Sequence, residues 1–241
     1  MKKAIVIGAT SGIGLEVARL LAEREYIVGV AGRRVDRLEA IVKSNENIKA
    51  YRQIDVTDEA APHLLNELIA EIGGMDIYFH SSGIGWENCE LDIEREMKTV
   101  ETNALGFTRM VTAAYSWFAN NKGGQIACIT SIARTRGLGA APAYSATKRF
   151  QSHYLECLAQ QSRMRRLGIH ITDIRPGFVA TDLIAGSHFP LQLSANSVAR
   201  SIVKAVMQGK ETVTIDWRYR MLVAAWAMIP RWLWTRLRFV K

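Results

Sequence analysis

The strongest constraint on the fold is an alternation of two periodicities. Short runs rich in β-branched residues fall at 4–7, 26–31, 48–54, 76–79, 125–130, 169–174 and 212–215, and read as strands. Between them, segments with apolar residues three and four apart fall at 13–23, 35–44, 59–72, 94–118, 144–166 and 195–208, and read as helices. The first strand, Ala4-Ile5-Val6-Ile7, is apolar at every position, as expected of a strand covered on both faces. Strict alternation of strand and helix implies repeated crossovers, and so a doubly wound parallel sheet in a three-layer α/β/α arrangement. No linker, low-complexity segment or repeat divides the 241 residues, a length that one domain can fill. The expectation is one domain over 1–216, followed by a short extension over 217–241.

In such sheets ligands bind beyond the carboxyl ends of the strands, so those positions carry the chemistry. After the first strand comes Gly8-Ala9-Thr10-Ser11-Gly12-Ile13-Gly14, then a helix. Glycines there permit a tight turn and close approach of backbone to a pyrophosphate, which the free N–H groups of the new helix face. This predicts a Rossmann-like dinucleotide site over Gly8, Thr10, Ser11, Gly12, Ile13 and Gly14, with the spacing GxxxGxG instead of GxGxxG. The second strand ends at Ala31-Gly32-Arg33-Arg34, without the carboxylate that would accept from the ribose 2′-hydroxyl of NAD. The guanidiniums of Arg33 and Arg34 suit a 2′-phosphate, so NADP is expected over NAD. Without such an anion, arginines at a helix start would oppose the helix dipole.

Tyr144-Ser145-Ala146-Thr147-Lys148 puts a phenol and an ammonium on one helix face. The ammonium favours phenolate, lowering a reference pKa of about 10 and making Tyr144 a candidate proton donor and acceptor. Ser131, at the end of the fifth strand, brings a hydroxyl to the same sheet edge.

With these residues the chain resembles the short-chain dehydrogenase/reductase family over roughly 1–216. The matches are the Gly8–Gly14 turn, Asp55-Val56, Asn103 in Asn103-Ala104-Leu105-Gly106, Ser131, Tyr144 with Lys148, and Pro176-Gly177-Phe178-Val179-Ala180-Thr181. The resemblance implies that Tyr144 is the general acid/base and that Ser131 hydrogen-bonds the substrate oxygen. It implies that Lys148 binds the nicotinamide ribose and depresses the Tyr144 pKa, and that Asn103 holds a water in a relay to Lys148. Asp55 would contact the adenine amino group with Val56 beside it; otherwise Asp55 serves a turn. Pro176, Gly177, Val179 and Thr181 would place the nicotinamide carboxamide.

The chain departs from the family at two places. His80-Ser81-Ser82-Gly83 stands where Asn-Asn-Ala-Gly is usual: Gly83 keeps the close approach, Ser81 replaces part of the lost hydrogen bonding, and His80 fills a structural slot. Arg134 replaces a small residue, with Arg136 close behind; both are expected near the substrate mouth, as partners for an anionic substrate or as solvated charges. The rest of the mouth reads as Ile84-Gly85-Trp86, Leu138, Phe178 and a lid over about 183–196 that contains His188, Phe189 and Pro190. Its apolar content suggests an apolar or lipid-like substrate.

The formal net charge of +8 is uneven: residues 200–241 hold nine basic and two acidic side chains, and four of the six tryptophans. Leu222, Trp226, Ile229, Leu233, Leu237 and Val240 share a helix face, with Arg220, Arg231 and Arg238 opposite, and Pro230 splits the segment into two short helices. The uncharged run 221–230 is too short to span a bilayer. The apolar face suits a membrane interface, or packing on the lid or a second subunit. No motif supports nucleic acid. Cys89, Cys128 and Cys157 form no CxxC pair, which argues against disulfides and a metal site and for a reducing, cytoplasmic location. The family pairs subunits through the helices at 94–118 and 144–166, so a homodimer or homotetramer is expected.

The function expected is an NADP(H)-dependent oxidoreductase, a carbonyl reductase or alcohol dehydrogenase. A catalytically idle cofactor-binding sensor or scaffold, and a membrane-surface module, are the alternatives.

Overall fold

The computed structural model describes residues 1–181 and 191–237. Its centre is a seven-stranded sheet, parallel throughout: β1 (Lys3–Ile7), β2 (Ile27–Gly32), β3 (Ile48–Gln53), β4 (Ile77–His80), β5 (Gly124–Ile129), β6 (Ile169–Arg175) and β9 (Thr212–Thr214). Their order is β3-β2-β1-β4-β5-β6-β9. The order reverses between β1 and β4, and at that switch point a crevice opens past the strand ends. A separate parallel pair, β7 (Val179–Ala180) and β8 (Leu193–Ser194), closes one side of the crevice.

Both sheet faces are covered, which explains why β1 is apolar from Ala4 to Ile7. Ala4 and Val6 pack with Val17, Leu21, Val198 and Ile202 of α1 (Gly12–Ala22) and α7 (Ala195–Met207). Ile5 and Ile7 point the other way, into a core with Leu65, Leu68, Phe107 and Met110. That second core rests on α3 (Ala61–Glu71), α5 (Phe107–Asn120) and α6 (Pro142–Met164). Each fully buried aliphatic side chain contributes roughly 1.5–3 kcal/mol. α2 (Val35–Ser44) presents Leu38 and Ile41 to the first core.

The helix expected over 94–118 is interrupted. α4 (Ile93–Val100) runs into a π-helical turn, Glu101–Gly106, before α5 begins. The extra residue fits because Gly106 abuts Val56, where a Cβ would sit 2.8 Å from the Val56 carbonyl oxygen. π-turns are rare and concentrate at functional sites, and this one carries Asn103.

Of the expected lid over 183–196, residues 182–190 lie outside the described residues, while Leu193–Ser194 form β8 and Ala195 begins α7. The extension folds into α8 (Trp217–Met228) and α9 (Arg231–Trp234), separated at Pro230 as its fixed φ demands. Among the described residues no helix is long and apolar enough to cross a membrane, and no cluster of ligating side chains could hold a metal. The three cysteines are free.

Candidate active site

The phosphate end is built by the turn after β1. Gly8 has φ +82, and a Cβ there would sit 2.7 Å from the Ser82 nitrogen, so only glycine lets the two loops flanking the crevice meet. Ser81 joins them with a hydrogen bond from its N–H to the Ile7 carbonyl (2.9 Å). Gly12 faces Thr181 across the crevice, so the 176–181 loop returns to the turn that opens α1. This backbone cradle, left open by missing side chains at a helix N-terminus, fits a pyrophosphate.

Arg34 folds back over the cradle. Its Nη2 donates to Thr10 Oγ1 (2.7 Å) and to Ser11 Oγ (2.8 Å), and its Nε to Thr10 Oγ1 (3.1 Å). Arg33 is exposed beside it, its carbonyl held by Gln53. Arg37, which sequence reading passed over, reaches the Thr10 carbonyl from α2. Its signal was present: three residues after Arg34, it lies on the same helix face. Asp55 Oδ1 accepts from the N–H (3.0 Å) and hydroxyl (2.8 Å) of Thr57, so this oxygen serves a turn. Val56 is buried behind it.

At the reacting end, Ser131 follows β5 and caps a 3-10 turn, Ile132–Arg134, its Oγ accepting from the Ala133 N–H at 3.0 Å. Used as an acceptor there, the hydroxyl keeps its proton to donate. Tyr144 lies in the first turn of α6, which Pro142 starts and which Glu96 of α4 caps by accepting from the Ala143 N–H. Gly85 lies flat on the Tyr144 ring, where a Cβ would come within 2.3 Å of Cδ2. One turn on, the Lys148 ammonium is 5.7 Å from the Tyr144 ring centroid. It donates to the Ile129 carbonyl (3.1 Å) and to Gln151 Oε1 (3.0 Å), and it borders Gly83.

Asn103 is fully buried and clamps the loop after β4. Its Oδ1 accepts from the Ile84 N–H (2.9 Å), and its Nδ2 donates to the Ile84 carbonyl (2.7 Å) and to Thr147 Oγ1 (3.2 Å). Gln151 Nε2 donates to the Asn103 carbonyl (2.8 Å), so Gln151 links Asn103 to Lys148. Gln151, Glu96 and Thr147 were not read from the sequence. Of these, only Gln151 had a local signal, its position one turn after Lys148.

The electrostatics correct one expectation. Burial raises the Tyr144 phenol above its ordinary value, and the Ser131 hydroxyl draws it part of the way back. Lys148 is not among the groups that lower it. Its own pKa is pushed down to about 8 by burial, against the pull of Cys128 and Asp173. Behind it Asp173, buried, accepts from Thr130 Oγ1 (2.5 Å), from the Ser152 hydroxyl, and from Arg175 Nε (2.8 Å). His80 is fully buried, with Nδ1 2.8 Å from the Tyr78 hydroxyl; burial, then the Lys148 charge, push its pKa down to about 3. A neutral histidine walled into the core fills a structural slot.

Neither loop arginine is a solvated charge. Arg136 donates through Nε to the Trp226 carbonyl (2.9 Å) and through Nη2 to those of Ala227 (2.6 Å) and Ile229, capping the end of α8. Arg134 is half-buried with its Nε enclosed, and burial, then the Arg175 charge, lower its pKa. The face predicted for the extension holds on α8, where Leu222, Trp226 and Ile229 are half-buried and Arg220 is exposed, but not from α9 onward, where Leu233 and Leu237 are exposed; the buried anchors are Tyr219 and Trp234, and Arg238 and Val240 lie outside the described residues. Tyr219 lies against Gly177, accepts from the Phe178 N–H (3.2 Å) and donates to the Leu191 carbonyl (3.0 Å). Trp234 Nε1 donates to the Gly137 carbonyl (2.7 Å).

Comparison with known proteins agrees with this architecture. An "Uncharacterized oxidoreductase" of Myxococcus xanthus is 31% identical over 225 residues, covering 90% of this chain and 88% of the relative. "Dehydrogenase/reductase SDR family member 7B" of Danio rerio is 26% identical over 263 residues, covering 99% of this chain and 83% of the relative. Two solved structures share the fold. An alcohol dehydrogenase from Thermococcus sibiricus complexed with 5-hydroxy-NADP superposes with TM-score 0.80 at 23% identity, over 89% of this chain and 96% of that one. A short-chain dehydrogenase from Sphingobium yanoikuyae in complex with NADPH superposes with TM-score 0.80 at 19% identity, over 100% and 98%. The family model for short chain dehydrogenases matches residues 2–188, and with it the chain is a member of the short-chain dehydrogenase/reductase family of oxidoreductases.

Proposed function

We propose that the protein interconverts a carbonyl and a secondary alcohol on an apolar substrate, with NADP(H) as its cofactor and Tyr144 as general acid/base. The observation that carries this reading is the assembly of Ser131, Tyr144, Lys148 and Asn103 at one sheet edge, with Gln151 linking Asn103 to Lys148. A sensor or scaffold has no use for all four. When bound, the nicotinamide cofactor supplies or accepts hydride at the carbonyl carbon. The chain's own residues orient and move the proton. Ser131, whose hydroxyl also bonds Tyr144, donates its O–H to the substrate oxygen, and Tyr144 delivers a proton to that oxygen in reduction and removes it in oxidation.

A phenol raised by burial holds its proton at neutral pH, which suits reduction, whereas oxidation needs phenolate and gains as pH rises. Lys148 has one N–H left to offer a ribose hydroxyl, since Ile129 and Gln151 take the others. Asn103 serves as the strut of the relay to Lys148. Asp55 and Val56 border the adenine, and Pro176, Gly177, Val179 and Thr181 the carboxamide. Arg33, Arg34 and Arg37 would hold the 2′-phosphate, and the bonds of the Arg34 guanidinium to Thr10 and Ser11 at the phosphate turn support that reading. The exposed apolar residues Ile93, Met97 and Leu105 on and after α4 support pairing of subunits through that surface.

The testing experiment measures NADPH- and NADH-dependent turnover over a panel of apolar ketones, for the wild type and for Arg33→Asp/Arg34→Ala. The reading expects turnover with NADPH preferred, and reversal of that preference in the variant. NADPH binding without turnover on any member of the panel would favour the idle scaffold. An unchanged cofactor ratio would remove the arginines from selection.

A further inference from the structure

The extension is unusual for a surface element, because it is apolar and scarcely covered. Between Met221 and Ile229 no side chain is charged, yet none is buried. Trp217, Met221, Met228 and Trp232 are 60%, 64%, 78% and 61% exposed. A contiguous apolar patch at the surface marks a place where something else packs. Its charge says what. Residues 217–241 contain six basic side chains and no acidic one; Arg218 is paired with Asp216 at the start of α8, which leaves Arg220 before the apolar run and Arg231 and Arg236 after it. Two copies of this surface placed face to face would oppose like charges, whereas a sheet of anionic headgroups complements them.

We propose that α8 and α9 dock the protein on an anionic phospholipid bilayer, lying in the plane of the interface. Ten uncharged residues are half of what spanning requires, but enough to enter the headgroup boundary with tryptophans at its edge and arginines reaching to phosphate. The same helices frame the substrate mouth. Tyr219 braces the 176–181 loop, while Arg136 and Trp234 fasten the loop after Ser131 to α8 and α9. Docking therefore sets the entrance to the crevice against the lipid phase, the source of an apolar substrate. The surface itself is argued independently of the catalytic reading.

The test is co-sedimentation of the full chain with phosphatidylcholine vesicles and with phosphatidylcholine–phosphatidylglycerol vesicles, at low and high salt. The expected result is at least tenfold stronger partition onto the anionic vesicles, weakened by salt. Arg220→Gln/Arg231→Gln/Arg236→Gln should lose about fivefold per arginine removed. Trp217→Ser/Trp232→Ser should lose binding to the anionic vesicles while keeping the thermal midpoint of the wild type. Equal or absent binding of the wild type to the two vesicle types overturns the proposal. So does a homodimer in solution that the tryptophan variant dissociates, because a second copy would then be the occupant.

Discussion

His80 shows how much one buried side chain can do without touching the chemistry. It ends β4 beside Ile7, walled in by Phe107 and joined to Tyr78, and it titrates only near pH 3 in the folded chain. A base whose folded pKa is lowered leaves the native state with fewer bound protons than the unfolded chain. Its contribution to stability is therefore lost as pH falls below about 6.5, and the loss continues to about 3. At pH 5 this amounts to about 2 kcal/mol. His80→Asn, which restores the family's residue, should shrink the difference in unfolding free energy between pH 7 and pH 5 by about that amount. Chemical denaturation at the two pH values measures it, and an unchanged difference would place the acid sensitivity elsewhere. Arg34 and Tyr144 were legible in the sequence because their meaning lies in position, after a strand and four residues before a lysine. Glu96 was not, because its partner Ala143 is 47 residues away, and only the folded chain brings them together.

At the scale of elements, periodicity located the strands and helices of the sheet to within a residue or two, since each buries a regular stripe or face. The π-turn at Asn103 escaped, because an extra residue inside a helix leaves the apolar spacing on either side almost intact. The extension escaped in part. Its helices break at Pro230 as expected and the face read from spacing turns inward on α8, but not on α9, because Tyr219 and Trp234, which find specific carbonyl and N–H partners, are the buried anchors. Arg136 is the clearest case, a loop charge in the sequence and a helix cap in the fold. Removing it leaves carbonyls at the end of α8 without their charged donor, at a cost of about 1–2 kcal/mol for a partly exposed group. Arg136→Ala should therefore lower the denaturant midpoint and speed hydrogen exchange in α8. A solvated charge would change neither.

For the molecule as a whole, the parallel sheet was legible because β1 is apolar from Ala4 to Ile7, a pattern that two-sided burial explains. The switch point between β1 and β4 then fixed where a crevice opens, at the place where Gly8 meets Ser81 and Ser82. The ionisation of the site was not legible. A lysine near a tyrosine in sequence suggests a lowered phenol, whereas in the folded protein burial acts on both groups, raising Tyr144 and lowering Lys148 to about 8. The extension, separable in sequence, is fastened in space to the loop after Ser131 and to the 176–181 loop. What remains central is the proton. The most direct measurement is carbonyl reduction by Tyr144→Phe at saturating NADPH, with cofactor affinity determined by fluorescence on the same sample. Loss of kcat by about 10²–10⁴-fold with NADPH affinity within about twofold is predicted, since only the proton donor is removed. A variant that reduces the substrate at near the native rate would contradict the assignment of Tyr144 as the general acid.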